Sequence, residues 1–190
     1  MGGEPLALSR GEALSDLFVH GRSRVAPDPA ARIARVRISA KADYAVRAAV
    51  TLAALEGDAP VKAERLAAAQ DIPLNFLENI LHQLKSSGLV TSHRGPDGGF
   101  RLARPAAAIT LADVIRAVEG PLASVRGTRP EQVSYTGAAE PLQEVWIALR
   151  ASLRAVLENV TLADVAAGKL PDQVATLSAD PAAWKAPAFE

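Results

Sequence analysis

The chain has 190 residues, 39 of them alanine, and its 21 basic side chains are matched by 21 acidic ones. Aromatics make up only 4% and hydrophobic residues 49%, a composition suited to a mostly helical protein because alanine enters helices at least entropic cost. Cysteine is absent, which excludes disulfides, thiolate nucleophiles, cysteine-ligated zinc and cysteine-held iron–sulfur clusters. The uncharged stretch from Ala48 to Leu55 falls far short of the roughly 20 residues a membrane span needs. Glu4, Glu12 and Asp16 interrupt any secretory or transit signal. The expectation is a cytoplasmic chain with no membrane partner.

Charge is neutral overall but uneven along the sequence. Residues 1–37 carry six Arg and four acids, residues 38–104 carry eight cations and seven acids, and residues 105–190 carry seven cations and ten acids. Nucleic-acid binders are often basic throughout, so any such function here must rest on a local patch.

In chain order, residues 1–36 read as a disordered extension, with Gly2-Gly3, Pro27-Asp28-Pro29 and no sustained periodicity. A passive tail, a start site set upstream of the true one and a basic arm touching phosphates all fit that segment. Ser39 then caps a first helix from Ala40 to Glu56, closed by Gly57. A second helix, Lys62 to Gln70, leads through Asp71-Ile72-Pro73 into a third. There, Leu77, Ile80, Leu81 and Leu84 form one apolar stripe, and Asn75, Phe76, Glu78, Asn79, His82 and Gln83 lie on the other face. Gly88 ends it. Leu89–Arg94 and Phe100–Ala103 read as a hairpin around the turn Gly95–Gly99. Thr110 caps a fourth helix to Glu119, and residues 121–139 form a loop. The longest helix, Glu140 to Asn159, places Leu142, Trp146, Leu149, Leu153, Val156 and Val160 at alternating spacings of four and three, an a/d seam about three heptads long. Thr161 caps a last short helix, and residues 171–190 read as a loosely attached tail. The corresponding segments are 37–120, the loop 121–139 and the helical part 140–170.

Two short helices joined by a tight turn form a helix-turn-helix candidate, a weak signal alone. The basic, Gly-rich hairpin directly after it makes the pair a winged helix. Between Asn75 and Arg104 the cations Lys85, Arg94, Arg101 and Arg104 outnumber Glu78 and Asp97, a local charge of +2. Asn75 and Asn79 stand one helical turn apart and present amides suited to base edges, while Glu78 suits a cytosine amino group. Arg94, at the base of the wing, suits a phosphate. Phe76 reads equally as a core residue or as an apolar contact to a thymine methyl.

Residues 72–105, I-P-L-N-F-L-E-N-I-L-H-Q-L-K-S-S-G-L-V-T-S-H-R-G-P-D-G-G-F-R-L-A-R-P, resemble the Rrf-two family of bacterial winged-helix regulators, which includes IscR, NsrR, RirA and CymR. The flanks Ser39–Arg47 and Ile109–Gly120 agree, so the resemblance covers about residues 37–168. It implies a mainly α fold with a small β-hairpin wing, a winged helix-turn-helix followed by a long C-terminal dimerisation helix. It also implies a homodimer on double-stranded DNA. The expected DNA contacts are Ser39 and Lys41 at the first helix, Lys62 at the second, and Asn75, Phe76, Glu78, Asn79 and His82 on the third. In the wing they are Arg94, with Gly98 and Gly99 letting the ribbon tip lie against the DNA backbone.

The chain departs from its cluster-binding relatives in the loop 121–139, where their ligand cysteines are replaced by Arg126, Thr128, Arg129, Gln132, Ser134 and Tyr135. No cofactor, metal or catalytic residue is expected. P-loop, G-x-S-x-G and H-E-x-x-H motifs are absent, so an enzyme is disfavoured. The expected function is a cluster-free homodimeric repressor of a pseudo-palindromic operator. A winged helix that docks a protein, or a regulator controlled by a small-molecule or protein effector, stands as the alternative.

Overall fold

Alanine sets the centre of the fold. The computed structural model describes residues 38–55, 57 and 59–185, all within one unit, Ile33–Glu190; the extension expected over residues 1–36 lies outside them. Helix α1 (Ala40–Ala54) begins where the Ser39 hydroxyl accepts the Ala42 amide at 3.0 Å. It buries Ala42, Ala45, Ala48, Ala49, Leu52 and Ala53. Side chains this small let neighbouring helices approach closely. Helices α2 (Ala63–Gln70), α3 (Leu74–Ser86), α4 (Leu111–Glu119) and α6 (Leu162–Ala167) all pack on α1.

The turn between α2 and α3 depends on Asp71, whose φ of 51° is left-handed, a conformation Asp tolerates better than most residues. Helix α3 buries the expected stripe, with Leu77, Ile80, Leu81 and Leu84 each exposed by 1% or less. Strands β1 (Val90–His93) and β2 (Gly99–Leu102) follow as an antiparallel pair, with Val90 opposite Leu102 and His93 opposite Gly99. Strand β1 is shorter than the sequence suggested, and β2 keeps its expected length but begins one residue earlier, so that Gly99 belongs to the return strand rather than to the turn. The reason is a contact from elsewhere in the chain. Val61, just before α2, exchanges two backbone hydrogen bonds of 2.8 Å with Phe100. A Cβ on Gly99 would stand 2.5 Å from the Val61 carbonyl oxygen, so only glycine lets this third backbone reach β2.

A repeat that the sequence reading missed joins the two halves of the molecule. Ile109-Thr110-Leu111-Ala112-Asp113-Val114 and Val160-Thr161-Leu162-Ala163-Asp164-Val165 are nearly the same segment. Each forms a capping box, with the threonine hydroxyl accepting the aspartate amide at 3.1 Å in both. The two segments pair antiparallel at Thr110 and Thr161. Leu111 N donates to the Val160 carbonyl and Leu162 N to the Ile109 carbonyl, both at 2.9 Å. Two helix starts thereby satisfy each other's backbone.

Helix α5 (Leu142–Leu157) starts and ends two residues inside the expected range, after a 3-10 turn at Gly137–Ala139. The segment read as a tail contains helix α7 (Asp172–Ser178) and a 3-10 turn at Pro181–Trp184, where the Trp184 indole donates to the Ser178 carbonyl at 2.6 Å. No residue of α7 is buried.

Gly99→Ala should lower thermal stability by about 1–3 kcal/mol, the usual cost of overpacking, while Arg101→Ala on the exposed face of the same strand should be nearly neutral. Equal melting temperatures for the glycine variant and the parent would disprove the close approach. The carboxylates at the helix junctions generate a second expectation. Hydrogen bonds from the Thr161 hydroxyl and amide hold Asp164 below its ordinary pKa, and those from Arg154 and Arg116 do the same for Glu158. Depressed folded values mean stabilisation that is present above the ordinary carboxylate range and is lost as pH falls through them. Denaturant midpoints measured on acidification should therefore drop less for Asp164→Asn than for the parent.

Candidate nucleic-acid interface

Helix α3 turns its polar face outward because its apolar stripe is consumed by α1, α2 and α4. Asn75, Phe76, Glu78, Asn79 and His82 are all exposed, while Gln83 is half-buried. The Asn79 amide donates to the Asn75 carbonyl one turn back at 3.0 Å, which leaves its side-chain oxygen outward as an acceptor. At the far end of α3 the Lys85 ammonium donates to the Ser92 hydroxyl on β1 at 2.6 Å, so this cation ties the helix to the wing.

The wing carries its charge at the tip. His93, Arg94, Gly95, Pro96 and Asp97 are exposed, as is Arg101 on β2. Among the described residues Arg94, Arg101 and Lys62 form no ion pair, whereas Arg104 stands 4.0 Å from Asp113. Lys62 is brought to the wing by the Val61–Phe100 bridge, since its backbone nitrogen lies 3.0 Å from the Cβ position of Gly99. Lys62, α3 and the wing are thus gathered by contacts within the chain. Gly98 and Gly99 face inward in this sense: a Cβ on Gly98 would meet the His93 carbonyl oxygen at 2.5 Å. The chain's own backbone therefore requires both glycines, whatever the ribbon tip touches.

Ser39 and Lys41 are placed differently. The Ser39 hydroxyl donates to Glu119 at 2.8 Å and the Lys41 ammonium to the Val118 carbonyl. Both engage the C-terminal end of α4, where a cation is favoured by the helix dipole.

A cluster beneath Phe76 escaped the sequence reading. Phe76 meets Tyr44 of α1 edge-to-face, with centroids 5.8 Å apart and planes at 85°. The Arg47 guanidinium lies 5.4 Å from the Tyr44 ring centroid and is bonded to Asp43 and to Gln70 at the end of α2. The i,i+4 spacing of Asp43 and Arg47 was visible in the sequence; the meeting with Phe76 was not.

The seam residues fall into two groups. Leu142 is exposed, Trp146, Leu149, Leu153 and Val156 are half-buried, and no residue of α5 is fully enclosed. Val145, not expected on the seam, adds 52% of its surface to this apolar face. Val160 is the exception. It lies beyond the end of α5, is only 3% exposed and takes part in the Thr110–Thr161 pairing, so it belongs to the protomer's own core rather than to a seam.

The loop 121–139 is fastened to α5 by side chains. The Trp146 indole donates to the Tyr135 hydroxyl at 2.9 Å, Gln143 donates to the carbonyls of Pro130 and Glu131, and Arg150 pairs with Glu131. At Arg126-Gly127 both φ angles are positive, the signature of a tight hairpin turn, closed by reciprocal bonds between Val125 and Thr128.

A model of the Rrf2 family, described as iron-dependent transcriptional regulators, matches residues 38–168. The chain belongs to the Rrf2 family. It is 54% identical over 145 residues to Rv1287 of Mycobacterium tuberculosis, an HTH-type transcriptional regulator by name, covering 76% of this chain and 90% of that one. To the HTH-type transcriptional regulator CymR of Bacillus subtilis it is 32% identical over 131 residues, 69% of this chain and 90% of the relative. The solved structure of B. subtilis CymR superposes with a TM-score of 0.58 over 69% of this chain and 96% of that one. T. potens IscR, 29% identical, does so at 0.56 over 80% and 94%. This Rrf2 chain is accordingly a DNA-binding regulator rather than an enzyme, with the winged helix-turn-helix and C-terminal helix expected from its sequence.

The iron in the family's description does not fit the residues present. The loop 121–139 offers no thiolate, and its one carboxylate, Glu131, is committed to Arg150. Among the described residues no three His, Cys, Asp or Glu side chains stand close enough to share a metal ion. Likewise, no helix among them is long and apolar enough to cross a membrane.

Proposed function

We propose that this Rrf2 protein is a homodimeric repressor that binds a pseudo-palindromic operator in the cytoplasm, without an iron–sulfur cluster. The single observation that supports the DNA contacts is the outward set Asn75, Glu78 and Asn79 on a helix whose opposite face is fully buried. Major-groove edges present donors and acceptors that amides and carboxylates distinguish. Asn75 and Asn79 address purine or pyrimidine edges, Glu78 accepts from a cytosine amino group, and His82 lies one turn further along. Arg94 and Lys62, free of ion pairs with other described residues, flank this face and suit phosphates. Ser39 and Lys41 touch the DNA backbone only by leaving the end of α4, so their contribution is smaller than that of Arg94.

Dimerisation rests on α5, whose face of Leu142, Val145, Trp146, Leu149, Leu153 and Val156 is left partly uncovered by its own protomer. A second copy of the same helix is the partner of matching chemistry. Two recognition helices related by a twofold axis read half-sites about 10 bp apart, or a multiple of that. Control by a small molecule or a partner protein acts through the loop 121–139, which is wired to α5.

Titrating the full chain against duplexes selected from a randomised pool tests the DNA contacts. Arg94→Ala should weaken binding on every sequence and reduce the log–log salt slope by about one. Asn79→Ala or Glu78→Ala should change which base is preferred, by about 1–3 kcal/mol of discrimination. Uniform loss on all sequences for the helix variants would overturn base reading, and salt-insensitive binding would favour a protein-docking module. For the dimer, Leu149→Asp and the more exposed Val145→Asp should each sediment as monomers; two dimeric variants would move the interface elsewhere.

A further inference from the structure

We infer that Phe76 reads the 5-methyl group of a thymine in each half-site, and that Tyr44, backed by Arg47, is the positioning residue that holds its ring there. This rests on the DNA-binding role of α3 argued above and adds a base identity to it.

Phe76 is the only large apolar side chain on an otherwise polar face, set between Asn75 and Glu78, and it is 42% exposed. Exposed apolar residues scattered singly need no explanation, but this one is braced. Tyr44 meets it edge-to-face at 5.8 Å, a geometry that aromatic pairs favour. Tyr44 in turn lies under the Arg47 guanidinium at 5.4 Å. Arg47 is held on two sides, by Asp43 at 3.2 Å and by the side chain and carbonyl of Gln70. Helices α1, α2 and α3 therefore converge on the position of one ring. Bracing of this kind removes the side-chain freedom that a groove contact would otherwise have to freeze.

The occupant follows from the surroundings. The flanking amides and carboxylate suit hydrogen-bonding base edges, and the nearby cations suit phosphates. The one apolar feature of a major-groove edge is the thymine methyl. An aromatic edge amid amides therefore fits a methyl lying beside hydrogen-bonding groups.

The test uses the full chain and the duplex it selects from a randomised pool. Each thymine is replaced in turn by deoxyuridine, which removes one methyl and leaves every hydrogen-bonding group in place. At one position per half-site the parent should lose about fourfold in affinity, the worth of a single buried methyl. In Phe76→Ala the thymine and uracil duplexes should bind equally. Tyr44→Ala should shrink the thymine-to-uracil ratio towards one, and Tyr44→Phe, which keeps the ring, should restore it. A merely structural role for Tyr44 would weaken both duplexes alike and leave the ratio at its parental value, overturning the positioning assignment. If no uracil substitution costs affinity while Asn79→Ala still changes base preference, methyl reading by Phe76 is wrong and the DNA-binding role stands. If no duplex is selected at all, the DNA-binding role fails, and this inference with it.

Discussion

The smallness of the α1 side chains is the constraint on which the rest of the molecule depends. Interaxial distance is set by what lies between two helices, and α1 places alanine at Ala42, Ala45, Ala48, Ala49 and Ala53 where larger residues would hold its neighbours apart. Four helices can then share a single hub. Helix α3 is consequently fixed by a fully buried stripe rather than by its own termini, which lack side-chain caps. A helix fastened in this way leaves its outer face free of any part in holding the core.

The same hub explains why the wing is not a free ribbon. Two-stranded hairpins are marginal alone in water, and this one is stabilised at three places. Val61 adds a short third backbone to β2, Lys85 joins β1 to the end of α3, and Leu89 connects to both the Leu84 carbonyl and the Ala103 amide. Gly99 is the residue that makes the first of these possible. Its position therefore carries a structural requirement that a reading of glycine as turn flexibility overlooks.

The fold was legible in the sequence wherever one local rule sufficed. The apolar stripe of α3 and the Ser39 and Thr110 caps each follow from neighbouring residues, and the structure places all of them as read. Positions defined by distant partners were not legible. Gly99 looked like a turn glycine because Val61 lies 38 positions earlier, and Val160 looked like a seam residue because heptad counting ignores the end of α5. The Thr110–Thr161 pairing did leave a trace, the repeated T-L-A-D-V, but nothing in a repeat says that its copies touch. For the candidate interface the outward residues of α3 were readable from periodicity. For Ser39 and Lys41 the contacts with the end of α4 were not readable, because their partners Glu119 and Val118 lie some 80 positions along the chain.

The loop 121–139 shows how a segment can be ordered once a metal-based anchor is excluded by composition. A hydrogen bond between two aromatic side chains, a bidentate glutamine and one ion pair fasten it to α5. Each is weak alone: a net hydrogen bond contributes about 1 kcal/mol, and an exposed ion pair about 0–1 kcal/mol. Their arrangement matters more than their sum, because Gln143, Trp146 and Arg150 recur every three to four residues along one side of α5. Loop and helix are consequently bound as a strip, and a displacement of one end is opposed along its whole length. Since Arg116 of α4 and Arg154 of α5 both bond Glu158, the far end of that strip is tied to the helix that leads into the loop.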